Sequence, residues 1–366
     1  MTIQIHRLLP RACPRLSRLS RTFTTTPALP KSAKPFPTTP TCPEPTCSCP
    51  PPPQLPDGFE IDRGTRLNGA IPSYSQHVLI CTGQTNWKKH IELGNAGDNL
   101  AADLKELIGP GGKYSDPFHN ISVLNSSFPP TPPPTKNADV IMDSVYILPM
   151  FKYVPYLPRV SFEHAEALVR AYLQPETLHP MYADLSPIHR DRLVRKPVYG
   201  NILYGVRDVE DVMVLICGHG SRDARCGLYG PLLKAEFERH LPVKGVEVVR
   251  GAVQVLKNEW KGQKELGGAV EEAMEDEGVK PKATARVGLI SHIGGHKFAG
   301  NVVIYIPPGM KTKKGNPHPL AGHGIWYGRV QPSNVEGIVQ ETVVRGIVIE
   351  ELFRGAIKQS GEIVTL

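Results

Sequence analysis

The stretches VLICGHGSRDARCG (214–227) and GLISHIGGHKFAGN (288–301) decide how this chain is read. Each begins with an apolar run long enough for one buried strand, then breaks into glycine-rich sequence that carries a pair of metal-ligating side chains. Cys217 and Cys226 form one pair, His292 and His296 the other. Two thiols and two imidazoles on loops at strand ends make a four-donor site, suited to zinc or to an asymmetric iron–sulfur cluster. A lone cysteine at a strand end is usually a small buried hydrophobe. Two of them among Gly218, Gly220, Arg222, Arg225 and Gly227 ask for more, because glycines let backbone approach a ligand and arginines favour thiolates or an anionic cluster. The histidine spacing is that of HExxH, but Ile293, Gly294 and Gly295 supply no glutamate base and disfavour a helix, which removes a zinc-protease reading. His219, between the cysteines, is placed to donate a hydrogen bond to a cluster sulfur.

Outward from these stretches the chain alternates strands and helices. The first half reads as strand 77–83, helix 98–109, strand 121–128, a strand somewhere in 138–151 and helix 161–173. The second reads as strand 211–217, helix 230–241, strand 246–256, a helix over 265–278, strands 285–292, 301–307 and 324–330, and a long helix 335–355. This alternation implies an α/β fold with at least part of the sheet parallel. Val78-Leu79-Ile80-Cys81 repeats as Val214-Leu215-Ile216-Cys217, as a duplicated α/β unit would, with Cys81 the counterpart of Cys217 but without a second donor nearby. GPGGK at 109–113 lacks the spacing of a phosphate loop, and His318 and His323 are read as surface or supporting residues.

Composition bounds the rest. At 366 residues and 40% hydrophobic the chain is globular and long enough for two domains. No apolar run is long enough for a membrane-spanning helix. The net charge is +7, but Arg7, Arg11, Arg15, Arg18, Arg21, Lys31 and Lys34 supply much of it, so the high pI argues against nothing and for no nucleic-acid partner. Residues 1–26 are Arg- and Ser/Thr-rich and acid-free, the composition of a mitochondrial transit peptide, which makes the expected location mitochondrial. Residues 27–58 are dense in proline and read as an extended linker without a core, carrying Cys42, Cys47 and Cys49 as exposed thiols, with a metal or redox site the alternative that their C-x4-C-x-C spacing fits poorly. Two domains are expected beyond it, 59–200 without a metal site and 201–366 with one.

Five segments carry a family resemblance: LNGAIPSYSQHVLICTG (67–83), CGHGSRDARCG (217–227), SHIGGHKFAGNVVIYIP (291–307), GIWYGRVQPSNV (324–335) and ELFRG (351–355). From about residue 60 to 356 the chain resembles the sucrase/ferredoxin-like family of thioredoxin-like [2Fe–2S] proteins. The resemblance implies two thioredoxin-like α/β units, the second a ferredoxin domain, and a [2Fe–2S] cluster held by Cys217, Cys226, His292 and His296. Thioredoxin-like ferredoxins use four cysteines; here the second pair is histidine at the same x3 spacing. Cys217 and Cys226 would then hold one iron, and His292 and His296 the other. Neutral imidazoles make a cluster less anionic, so its potential should exceed the roughly −400 mV of plant-type ferredoxins and fall as pH rises. The expected role is electron transfer, redox sensing or thiol redox homeostasis rather than catalysis, with an unidentified reductase and acceptor as partners. The alternatives are a thiol–disulfide oxidoreductase using Cys217 and Cys226, and a structural zinc protein.

Overall fold

Alternation along single strands sets the architecture. In VMVLIC (212–217), Val212, Val214 and Ile216 join one hydrophobic cluster, while Met213, Leu215 and Cys217 join another on the opposite face, as the two-residue period of a strand requires. The computed structural model describes residues 34–46, 48–133, 140–255 and 283–366. The leader, Cys47 and the helix expected over 265–278 lie outside the described residues.

The first part contains β1 (Thr38–Thr39), β2 (Gln76–Cys81), α1 (Leu100–Ile108), β3 (Ile121–Ser126), β4 (Met142–Leu148), β5 (Lys152–Pro158), α2 (Phe162–Leu168), α3 (Pro187–Leu193) and β6 (Arg207–Asp208). Then come β7 (Val212–Cys217), α4 (Ala224–Val243), β8 (Glu247–Val248), β9 (Thr284–Ile290), β10 (Val302–Ile306), β11 (His323–Tyr327), α5 (Pro332–Ile338), β12 (Val348–Ile349), β13 (Phe353–Lys358) and β14 (Ile363–Val364).

The two halves repeat one plan. β2 runs parallel to β3 and antiparallel to β4, which pairs antiparallel with β5. β7 runs parallel to β9 and antiparallel to β10, which pairs antiparallel with β11. In each half the first strand feeds a helix, and the final helix, α2 or α5, loosens into a π turn at Val169–Leu173 or Val339–Arg345. This is the α/β order of a thioredoxin-like unit, present twice, and Cys81 and Cys217 are the last residues of the matching strands. The units join edge to edge where β3 meets β9 antiparallel at Ser126 and Ile290, which makes one 12-stranded mixed sheet.

Helices α1 and α2 cover the first unit's outer face and α4 and α5 the second's. The inner faces of both units share a core that includes Leu79, Leu124, Tyr146, Leu215, Ile290, Val303 and Trp326. Its polar groups are matched: Trp326 Nε1 donates to Tyr74 Oη at 2.7 Å, and the Tyr74 and Tyr305 hydroxyls lie 2.9 Å apart. The Tyr305 hydroxyl also meets His77 Nδ1 at 2.9 Å, and burial pushes the His77 imidazole down to about 3.

Several expected elements change. The proline-rich segment is no free linker where described: Phe36 is buried, β1 pairs parallel with β12, and Thr46 Oγ1 donates to Glu336 Oε1 at 2.7 Å. Proline limits regular hydrogen bonding within a segment but not packing against a second one. The strand expected over 138–151 is followed by a second, β5, whose Pro155 and Pro158 argue against it in sequence. Among the described residues of the strand expected over 246–256, Glu247–Val248 alone is β structure. The long helix 335–355 ends early because Gly346 turns left-handed (φ 72°), and the β-branched run after it forms β12.

Candidate metal centre

Cys217 ends β7 and Cys226 lies in the first turn of α4, not on a loop, because that helix starts at Ala224, earlier than the periodicity suggests. Asp223 caps it, accepting from Arg225 N at 3.0 Å and holding the Arg225 guanidinium at 2.9 and 2.8 Å. The first turns of α4 lie directly on the backbone leaving β7. A Cβ on Gly230 would sit 2.7 Å from Gly218 Cα, so glycine is required for this approach. Both thiols are buried, at 3% and 1% exposure. They are hydrogen-bonded to each other. Donation from Cys226, then from His292 and the His219 N–H, outweighs burial and holds Cys217 well below the usual thiol value, and the same bond pushes Cys226 up.

His292 follows the end of β9 where the two units are stitched together. Ser291 N donates to Asn125 O at 2.8 Å and Asn125 N donates to Ser291 Oγ at 3.0 Å. Gly294 and Gly295 then turn left-handed (φ 86° and 73°) and return the chain to His296. The two imidazoles lie 5.3 Å apart, centroid to centroid. The four predicted donors thus form a row, Cys226 to Cys217 to His292 to His296, in which His296 is the outermost with its side chain 45% exposed. The Nδ1 atoms of both histidines are buried and have no hydrogen-bond partner. Among the described residues, no three Cys, His, Asp or Glu side chains are grouped to hold a single ion.

His219 serves Cys217 through its backbone N–H, and its imidazole is engaged elsewhere. Its Nε2 lies 3.0 Å from both Trp87 O and Lys88 O, and its Nδ1 accepts from His292 N at 3.2 Å. Both ring nitrogens are therefore engaged, and the ring is a pillar between the first unit's loop and the histidine loop. Asn86 reinforces the join, donating to Ser221 Oγ at 2.8 Å and accepting from Ser221 N at 3.1 Å. The first unit frames the site rather than lying apart from it. Cys81 faces the shared core, where burial pushes its thiol up, and Cys42 packs under α5 near Asn334, half-buried rather than exposed. His318 is buried as well, its Nε2 3.1 Å from Val343 O.

Two residues that spacing did not single out complete the site. Asn301 O accepts from Cys217 N at 3.0 Å, its Nδ2 donates to Gly295 O at 2.9 Å, and its Oδ1 accepts from Arg354 at 2.6 Å. Arg354, 1% exposed, also donates from Nε to Ala70 O at 2.8 Å and lies over the rings of Phe298 and Trp326. Burial pushes the guanidinium down to about 10, against the pull of Cys217 and Cys226. It has no ion-paired carboxylate among the described residues, so the cysteine pair is the counter-charge in view. The signal for both lay in HKFAGN and ELFRG, which contain them, but nothing in spacing ties them to the cysteines.

The donor set fits a [2Fe–2S] group. Two thiols and two imidazoles come as two pairs, both imidazoles present an unpartnered buried nitrogen, and a buried cation stands ready to offset anionic thiolates. A larger cleft of about 350 Å³ near Arg66, Asn68, Arg329 and Glu351 includes none of the four donors.

No solved structure matches the chain. It is 28% identical to altered inheritance of mitochondria protein 32 of Meyerozyma guilliermondii, over 78% of this chain and 82% of that protein. It is equally 28% identical to the protein of the same name from Debaryomyces hansenii, over 78% and 84%. Actin patches distal protein 1 of Saccharomyces cerevisiae is 26% identical, over 77% and 72%. The family model described as sucrase/ferredoxin-like matches residues 67–355, a span that holds both units and all four donors. The chain belongs to the sucrase/ferredoxin-like family.

Proposed function

We propose that this chain is a mitochondrial electron-transfer or redox-sensing protein that holds a [2Fe–2S] cluster through Cys217 and Cys226 on one iron and His292 and His296 on the other. When bound, the cluster supplies reversible one-electron chemistry. The observation that carries the reading is the pair of buried, unpartnered Nδ1 atoms beside a pair of buried, hydrogen-bonded cysteines. A buried polar atom without a partner costs about 1–3 kcal/mol, so two on one short loop point to a bound group. The chain's own part is to orient and insulate. His219 and Asn301 fix the backbone of the two donor segments, α4 and β7 bury the sulfurs, and Arg354 places a positive charge in the same interior. The acid-free basic leader, together with two relatives named for altered inheritance of mitochondria, supports the location.

One observation favours a second reading. The sulfurs of Cys217 and Cys226 are in contact, so the metal-free pair could form a disulfide with release of two electrons and two protons. Their burial works against it, because exchange needs an attacking thiolate to reach a sulfur in line. A structural zinc ion would call for the donors to converge on one point, which they do not. Anaerobic purification with iron and sulfide analysis, visible absorption and EPR tests all three. A brown protein with a paramagnetic signal on reduction, lost in His292→Ala, is expected; a colourless or zinc-loaded protein overturns the proposal.

A further inference from the structure

Beside His292 the row meets a cleft of about 160 Å³ whose lining includes Lys89, His90, Glu92, Arg222, Ser291 and His292. The thiol end is closed, since Cys217 and Cys226 are buried. Charges around the site are mostly matched: Arg225 pairs with Asp223, Lys297 with Asp62, and Glu92, the acid in the cleft, with Lys105 at 2.5 Å. The cations at the cleft are different. Lys88 and Lys89 are exposed, Arg222 is half-buried, and none of the three makes an ion pair among the described residues. The segment that carries the lysines is held in place by its own bonds, through Asn86 to Ser221 and through the Trp87 and Lys88 carbonyls to His219. An unmatched group of positive charges, on a segment braced by these bonds, therefore lines an opening that reaches the proposed iron ligand His292.

We propose that this cleft, rimmed by Lys89 and Arg222, is the docking surface for the acidic face of a partner protein that carries a one-electron centre. The proposal rests on the cluster reading and names the partner's chemistry. Carboxylates on the partner complement the rim, and docking there brings its carrier toward His292 instead of the buried sulfurs. One electron crosses, no bond forms or breaks, and the partner's flavin, haem or iron–sulfur carrier undergoes the opposite change. Unmatched cations at such an opening raise the rate of encounter with anions, an effect that salt removes because the screening length falls from about 30 Å at 0.01 M to about 3 Å at 1 M.

The test uses the full chain and two charge-reversed double variants with the same change in net charge. The near one is Lys89→Glu with Arg222→Glu; the far one is Lys313→Glu with Lys314→Glu. Lys313 lies beside Gly245, just past the end of α4 opposite Cys226. In metal-free protein, binding of a fluorescent deca-glutamate peptide should weaken about tenfold in the near variant and less than twofold in the far one. In cluster-loaded protein, stopped-flow oxidation by anionic ferricyanide should slow about fivefold or more at low salt in the near variant, while oxidation by cationic hexaammineruthenium speeds up and both differences vanish at high salt. Equal effects from the near and far variants would mean that only net charge matters, and would overturn the docking site. A protein that binds no iron has no cluster absorbance for ferricyanide to change, and that removes the electron-carrying role. The peptide arm still decides whether the rim takes acidic surfaces, so the two failures are distinguishable.

Discussion

Replacing Gly295 by alanine should destabilise the protein far more than the same change at another left-handed glycine. Gly295 has φ 73°, and a Cβ there would meet the Arg354 guanidinium at 2.5 Å from one terminal nitrogen, 3.0 Å from Cζ and 3.1 Å from the other nitrogen. Gly111 has φ 83° and nothing within 4 Å of the same position. The left-handed backbone alone costs a non-glycine residue about 1–2 kcal/mol, and both substitutions carry that term. Only at Gly295 must a side chain move, and Arg354 has little room, being 1% exposed and bonded to Ala70 O and Asn301 Oδ1. Loss or bending of one charged hydrogen bond costs about 1.5–3 kcal/mol. Gly295→Ala is therefore expected to lose about 2.5–5 kcal/mol and Gly111→Ala about 1–2 kcal/mol. Urea denaturation of the metal-free protein, followed by circular dichroism, reads the difference without involving any bound group. The clash predicts coupling, so the effects of Gly295→Ala and Arg354→Ala should combine to less than their sum. If Gly295→Ala and Gly111→Ala agree within about 0.5 kcal/mol, the packing of Arg354 on the histidine loop is refuted.

Asn301→Ala removes both side-chain bonds that tie the histidine loop to Arg354 and should cost about 2–4 kcal/mol, with faster amide hydrogen exchange at His296 and Lys297; unchanged exchange there would count against the brace. His219→Ala breaks the contacts to Trp87 O, Lys88 O and His292 N, so thermolysin should cut near Lys88 more readily than in the wild type, and equal cleavage rates would argue against the pillar. Glu336 is held down to about 2, from 4.5, chiefly by the Thr46 hydroxyl and N–H and also by Lys244. A lowered carboxyl stabilises the fold fully above its ordinary value and loses that contribution as pH falls through the lowered one. The stability gap between wild type and Glu336→Gln should accordingly be constant above about pH 5 and shrink toward pH 2, and a gap that does not change with pH would disprove the link.

Much of the architecture was legible because its signals are local. Apolar runs of strand length before Cys217 and His292 place those residues at strand ends, since a strand of about six residues spans the sheet and the glycines after it stop the pairing. The repeated Val-Leu-Ile-Cys announced two copies of one unit, and the sheet order bears this out strand by strand. Where propensity and context compete, local reading fell short. The stretch 335–355 is helical in period, yet one left-handed glycine at 346 hands its second half to β12 and β13. Prolines hid β5, and they hid the packing of residues 34–46 on the second unit, because a proline-rich segment shows no period of its own and is ordered here by Glu336, Glu350 and Glu351 far along the chain.

By itself, then, the sequence determined the fold class, the doubled unit and the identity of the four candidate donors, all of which follow from residue type and short-range spacing. The tertiary structure decided how those donors are held. It alone brought Asn86, Trp87 and Lys88 of the first unit against His219, set Asn301 between the cysteine strand and the histidine loop, and put the Arg354 charge in the same interior. Such contacts join residues that stand far apart along the chain. They exist only after the two sheets have paired at Ser126 and Ile290, because that pairing buries both inner faces together.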